Sequence, residues 1–220
     1  MANGDAVTGV WADRLDALYT PVIADVLDRL GYRDQSFRAE IRPLFPGARA
    51  AGVARTVLTI PAPELAPAEP YKGEMAAVDA LGPGDVMVVS HCDWSFWGEL
   101  LSTAARYRGC RGVVVDGYTR DTRAIIAMGF PVFCRGVHPA DSLGRLDVDE
   151  HDVPVRCGGV LVHPGDLILA DDDGVVAIPL AIAEQALALA EEKVRGENLV
   201  RKALAEGMSV AEAFRRYGVL

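Results

Sequence analysis

Residues 82–134 run GPGDVMVVSHCDWSFWGELLSTAARYRGCRGVVVDGYTRDTRAIIAMGFPVFC. Gly82-Pro83-Gly84-Asp85 has Pro and Gly in the order of a type II turn and feeds the unbroken apolar strand Val86 to Val89. After a loop from His91 to Trp97, a helix is expected from about Gly98, with Leu100, Leu101, Ala104 and Ala105 on one face and Gly109 at its end. The strand Gly112 to Val115, a loop from Asp116 to Asp121, a helix to Met128 and the strand Pro131 to Cys134 complete the pattern. Strands without polar alternation, separated by short helices, are buried on both faces. This stretch therefore predicts right-handed parallel βαβ units in a mixed α/β fold.

On the N-terminal side, Leu15, Leu18, Val22, Ile23, Val26, Leu27 and Leu30 recur at helical spacing up to Gly31, and Pro21 divides a short first turn from the helix proper. Strand-like pieces between Ile41 and Ile60 are cut by Pro43, Pro46, Gly47 and Gly52, with residues 56–60 the clearest. Four prolines between Pro61 and Pro70 mark a loop. On the C-terminal side, short strands at residues 160–162, 167–170 and 175–178 flank turn chemistry at His163-Pro164-Gly165-Asp166 and Asp171-Asp172-Asp173-Gly174, which favours antiparallel neighbours. Leu187, Ala190, Val194, Val200 and Leu204 mark a long terminal helix, and a short one follows around Val210 to Phe214.

The 220 residues fit a single domain, 1–220, with a flexible start at 1–10 and a helical extension over 180–220. With 31 Asp+Glu against 22 Lys+Arg the net charge is −9, which disfavours nucleic acid as a partner. Neither an apolar run of ~18 residues nor a basic, apolar leader occurs, so a cytoplasmic protein without membrane contact is expected. Cys92, Cys110, Cys134 and Cys157 show no C-x-x-C pairing and read as reduced core thiols.

Ligands of open parallel sheets collect at the carboxyl ends of strands. The helix opening at Gly98 would offer the N–H groups of Glu99, Leu100 and Leu101 to an anion such as a carboxylate; otherwise Gly98 serves only a close helix–sheet contact. Arg120-Asp121, with Asp116 just before it, is a surface ion pair or cap, or a carboxylate that holds a hard cation beside a guanidinium that neutralises an oxyanion. The acidic run 171–174 reads as a hairpin turn rather than a calcium loop. His91, His138, His151 and His163 lack metal-ligand spacing, and only His91 falls near the expected pocket. Trp94, Phe96 and Trp97 either line a cavity or pack their loop. The three lysines, Lys72, Lys193 and Lys202, lie outside apolar strands, which disfavours Schiff-base chemistry. Serine-hydrolase, P-loop and dinucleotide signatures are absent.

Gly98 to Leu101, Gly112 to Asp121, Pro154 to Val160, Pro164-Gly165-Asp166, Ala170 to Val176 and the terminal Tyr217-Gly218-Val219-Leu220 together resemble the RraA-like family, over roughly residues 15–220. That family includes the 4-hydroxy-4-methyl-2-oxoglutarate (HMG) and 4-carboxy-4-hydroxy-2-oxoadipate (CHA) aldolases. The resemblance implies a swivelling β/β/α fold, a homotrimer or homohexamer, and class II pyruvate aldolase chemistry on a small 2-oxo acid with Mg²⁺ or Mn²⁺. Oxaloacetate decarboxylation is implied as a side activity. It further implies Asp121 as direct metal ligand, Arg120 at the substrate keto oxygen and the backbone of Gly98 to Leu101 at its carboxylate. The family's Asp, separated by twenty intervening residues from an Arg-Asp pair, is here Glu99, a departure that keeps the charge and adds a methylene, leaving a water-mediated metal contact or a proton relay as its role. A further acid from a neighbouring subunit's C-terminal helix matches Glu197, with Glu192 in reserve. The same resemblance also allows a protein-binding regulator of ribonuclease E, or an aldolase or decarboxylase for sugar-derived oxo acids with Trp94 and Trp97 as stacking surfaces.

Overall fold

The computed structural model describes residues 11 and 13–219; the expectation for 1–10 lies outside the described residues. The elements used below are, in chain order, α1 (Thr20–Arg29), β1 (Arg42–Pro43), β2 (Ala50–Pro61), α2 (Lys72–Asp79), β3 (Asp85–Val89), β4 (Ser95–Trp97), α3 (Glu99–Tyr107), β5 (Gly112–Thr119), α4 (Thr122–Met128) and β6 (Val132–Val137). Then come β7 (Leu146–His151), β8 (Val155–Cys157), β9 (Val160–Val162), β10 (Leu167–Asp171), β11 (Gly174–Ile178), α5 (Ala183–Ala205) and α6 (Val210–Tyr217).

One nine-stranded sheet has the order β1-β6-β5-β3-β2-β10-β11, with β4 added to β5 and β7 to the far half of β2. The β2-β3-β5-β6 centre is parallel, as the apolar runs require, while β1, β7, β10 and β11 pair antiparallel. Side chains of the central strands alternate between two cores. Met87, Val89, Val113 and Val115 face α2, α3 and α4 in one core, and Val86, Val88 and Val114 join the β8-β9 hairpin in the other. A third core sets α1 and the first half of α5 against β10 and β11. This is a mixed α/β architecture with the swivelling β/β/α layering and a long C-terminal helix. No described helix is long and apolar enough to cross a membrane.

Several expectations are corrected. The pieces expected between Ile41 and Ile60 include one continuous twelve-residue strand, β2. The acidic run is a hairpin turn as expected, between β10 and β11, where Asp171 accepts hydrogen bonds from the amide and hydroxyl of Thr20 (2.8 and 2.6 Å) and Asp172 from the Gly47 amide (2.8 Å). The supposed loop of residues 116–119 is the end of β5, carried past a register shift between Val115 and Tyr118. Gly117 makes this possible, because a Cβ there would stand 2.3 Å from Cys92 Sγ. The loop from His91 to Trp97 contains β4, which lies parallel to that extension. All four cysteines are buried and free, and burial pushes the Cys92 thiol up to about 12 and those of Cys110 and Cys134 up to about 11.

Candidate active site

The extension of β5 brings Arg120-Asp121 against the start of α3. The Arg120 amide and the Thr119 hydroxyl both donate to Trp97 O (3.0 Å each), which locks the end of β5 to the residue preceding Gly98. Asp121 then turns through left-handed backbone (φ 57°) into α4. Its Oδ2 accepts the Glu99 amide at 3.2 Å. Gly98 permits this approach, since a Cβ there would lie 2.8 Å from the same oxygen.

Around this junction lies a cleft of about 370 Å³. Gly98, Leu100, Leu101, Arg120 and Asp121 line it, as expected from sequence. Leu100 is 77% exposed at its mouth and so leaves the apolar face expected for α3, while Leu101, Ala104 and Ala105 pack into the core as expected. The buried positions are Ser102 and Ala105, because Ser102 Oγ accepts the Trp97 indole N–H (2.7 Å) and donates to Gly98 O (2.9 Å). Phe96 and Trp97 also line the cleft, whereas Trp94 packs edge-on to His138 and under the Arg145 guanidinium. Trp97 itself is sandwiched by Phe96 and Phe130, so the paired tryptophan stacking surface is not formed.

Three lining groups were not signalled by the sequence: Tyr71, Glu74 and Asp141. Arg120 Nη2 lies 3.2 Å from Asp141 Oδ1, and Nε lies 3.8 Å from Asp121 Oδ2, so one guanidinium spans two carboxylates. Asp141 also accepts the Tyr71 hydroxyl and the Ser142 amide. Burial alone would push the Asp141 carboxyl up; the bonds from Tyr71 and Ser142 and the charge of Arg120 hold it below the usual range. Glu74 is 5% exposed, and burial raises its carboxyl to about 7. The charges of Asp141 and Asp147 add to that rise, while a hydrogen bond to Ser142 and the charge of Arg120 oppose it.

The remaining expected residues lie elsewhere. Glu99 gives its amide to the site, but its carboxylate turns back along α3 to accept the Thr103 hydroxyl (2.8 Å). Asp116 is buried in β5, where its carboxylate accepts the Gly158 amide (3.0 Å) and pairs with Arg135 Nε (3.2 Å). It is therefore not part of the cleft. His91 sits beside Asp93 and Asp116 and does not line the cleft. Glu197 on α5 accepts the Tyr19 hydroxyl and lies 3.7 Å from Lys193 within its own chain.

Among the described residues, no three His, Cys, Asp or Glu side chains converge as a metal cluster. Mg²⁺ nevertheless commonly takes only one or two carboxylates and fills its octahedron with water and substrate oxygens. Asp121 suits that role: it is half-exposed in the cleft and its Oδ2 is fixed by a backbone N–H. No lysine lines the cleft.

The family model described as "RraA-like: Aldolase/RraA" matches residues 20–177. The chain belongs to the RraA-like family. A Halalkalibacterium halodurans protein named "Putative 4-hydroxy-4-methyl-2-oxoglutarate aldolase" is 34% identical over 198 residues, covering 89% of both proteins. Among solved structures, an uncharacterized protein from Pseudomonas syringae pv. tomato superposes with a TM-score of 0.85 at 27% identity, covering 95% of this chain and 94% of its own. Streptomyces coelicolor RraAS2, described as an unusual member of the RNase ES inhibitor RraA protein family, gives 0.78 at 31% identity, covering 88% of this chain and 98% of its own. This RraA-like chain is thus similar both to a protein that carries an aldolase name and to an unusual member of a ribonuclease-inhibitor family.

Proposed function

We propose that this RraA-like protein is a class II pyruvate aldolase that cleaves the C3–C4 bond of a 4-hydroxy-2-oxo acid, with Mg²⁺ or Mn²⁺ held at Asp121. The observation that carries this reading is the meeting of Arg120, Asp121 and the α3 N-terminus in one cleft. The metal would supply Lewis-acid polarisation of the substrate's 2-oxo group.

The chain's own groups divide the remaining work. Free N–H groups of the first turn of α3, at Leu100 and Leu101, bind the substrate carboxylate. Arg120, aimed by Asp141, donates to the 2-oxo oxygen and shares the negative charge that gathers there. When a carboxylate-held water takes the proton of the C4 hydroxyl, C4 becomes a carbonyl and the C3–C4 bonding pair passes to C3, leaving the enolate of pyruvate. Return of that proton to C3 completes turnover. Oxaloacetate is decarboxylated by the same groups, because loss of CO₂ leaves the same enolate. The Glu99 side chain, bonded to Thr103, is placed for at most an indirect part, through water.

The shared-site reading, with Glu197 of one subunit serving the Arg120 site of the next in a homotrimer or homohexamer, belongs to the same proposal, as does a cytoplasmic location. Likeness to RraAS2 favours a second reading, a protein-binding regulator of a ribonuclease. Pyruvate release from HMG and from oxaloacetate, measured with and without Mg²⁺, separates the two. Metal-dependent release supports the aldolase; no release from either substrate with metal present overturns it.

A further inference from the structure

We infer that Glu74 is the acid that delivers the proton to C3 of the enolate, and that it can be recharged from a water-sized cavity on its far side. This rests on the aldolase reading for the enolate itself, whereas the placement of Glu74 is a property of the fold.

Gly73 allows that placement. A Cβ there would stand 2.6 Å from the Val148 Cβ, so glycine lets the first turn of α2 lie against β7, and the next residue, Glu74, is carried inside. Glu74 lines two spaces. One is the cleft of Arg120 and Asp121; the other is a cavity of about 20 Å³ beneath the proline-rich segment, bounded by Glu64, Pro67, Leu146 and Asp147. Such a volume is enough for one water molecule. Among the described residues only Tyr71 and Glu74 line both spaces, and the Tyr71 hydroxyl is already given to Asp141. The other acids of the cleft are engaged too, Asp141 by Arg120, Tyr71 and Ser142, and Asp121 by the Glu99 amide. No histidine or lysine lines the cleft. Glu74 instead faces Ser142, the carboxylates of Asp141 and Asp147, and an Arg120 already paired, surroundings that keep a proton on it up to about pH 7. A buried carboxyl of this kind both gives and regains a proton at neutral pH. All of these neighbours belong to the same chain as Glu74, so the donor does not depend on what a neighbouring subunit adds to the site.

The step balances. The enolate's electron pair at C3 takes the Glu74 proton: the carboxyl O–H bond breaks, the C3–H bond forms, the 2-oxo group of pyruvate is restored and Glu74 is left as a carboxylate. In aldol cleavage the proton that the water took from the C4 hydroxyl restores the acid. Loss of CO₂ from oxaloacetate frees no such proton, so there the acid is restored from solvent through the cavity.

Exchange of the pyruvate methyl hydrogens in D₂O, followed by proton NMR with the Mg²⁺-loaded protein, runs the step in reverse without cutting a carbon–carbon bond. Glu74→Gln should slow this exchange by about 10² or more, while CO₂ release from oxaloacetate, which precedes protonation at C3, should fall by less than about tenfold. Equal loss of both rates in Glu74→Gln would overturn the inference and leave Glu74 a structural part of the wall. Wild-type exchange in that variant would overturn it as well, and would point to Glu197 of a neighbouring subunit as the donor. So would a wild type that releases pyruvate yet does not exchange its methyl hydrogens. A wild type that neither releases pyruvate from HMG or oxaloacetate nor exchanges marks failure of the aldolase reading itself, and the inference falls with it.

Discussion

Arg120 Nη2 is held 3.2 Å from Asp141 Oδ1, and the second oxygen of that carboxylate accepts the Tyr71 hydroxyl. The guanidinium is thereby fixed from the side away from α3. Asp141→Asn should lower kcat by about tenfold while largely sparing KM, because Arg120 would remain charged but poorly aimed. Arg120→Lys loses the planar fork itself and should cost about 10² or more in kcat. Steady-state kinetics with oxaloacetate checks both, and normal turnover in Asp141→Asn would remove that residue from the mechanism.

Gly98 bears on metal affinity. Its missing Cβ would stand 2.8 Å from Asp121 Oδ2, so Gly98→Ala should push the carboxylate off its Glu99 amide. The Kd for Mn²⁺, followed by electron paramagnetic resonance, is expected to rise by about tenfold or more, with thermal stability changed little. An unaltered Kd would show that Asp121 does not hold the ion.

Glu74 gives a stability signature with a definite sign. In the unfolded chain its carboxyl ionises near 4.5, and in the folded protein burial delays this to about 7. Between those values the folded state binds more protons, so stability falls as pH rises, by up to about 3 kcal/mol. Below the window nothing is lost, and above it the loss is complete. Glu74→Gln lacks this slope and should therefore gain on the wild type by roughly 5 °C in Tm between pH 5 and pH 8. Parallel pH profiles of the two proteins would contradict the assignment.

The shared site predicts complementation. Arg120→Ala and Glu197→Ala should each be nearly inactive, yet co-expressed mixtures should recover about a quarter of wild-type sites, because two adjacent chains must each be of the right type. Tyr19→Phe is the control. It removes the in-chain hydrogen bond to Glu197 without the carboxylate, and should retain activity. Mixed oligomers confirmed by mass with no activity above the single variants would refute the arrangement.

Legibility in the sequence followed physical range. The valine runs at 86–89 and 113–115 identify strands buried on both faces, and Gly98 with Arg120-Asp121 is readable because each lies in the segment that leads from such a strand into the next helix. The end of β5 was obscured by Asp116 and Gly117, which resemble loop residues until Gly117 is seen beside Cys92 and Asp116 beside Arg135. Tyr71, Glu74 and Asp141 carried no local signal. They meet only after α2 docks beside β7 and the chain leaving β6 passes the end of β4. Glu74 interrupts a helix that otherwise reads as ordinary amphipathic surface, and its burial becomes visible only in three dimensions.

The two walls of the cleft differ in kind. On one side, Gly98, Trp97 O and the Glu99 amide present main-chain atoms, anchored to the parallel sheet through β5. On the other, Tyr71, Glu74 and Met75 follow the proline-rich segment 61–70 and act through their side chains. Substitutions at Met75, which leave the chain of contacts from Tyr71 through Asp141 to Arg120 in place, can exchange one tail for another while the grip on the 2-oxo acid head is left intact. Reaction type and substrate range are therefore separable properties of this scaffold, and a library confined to Met75 should yield altered preferences without loss of pyruvate-forming chemistry.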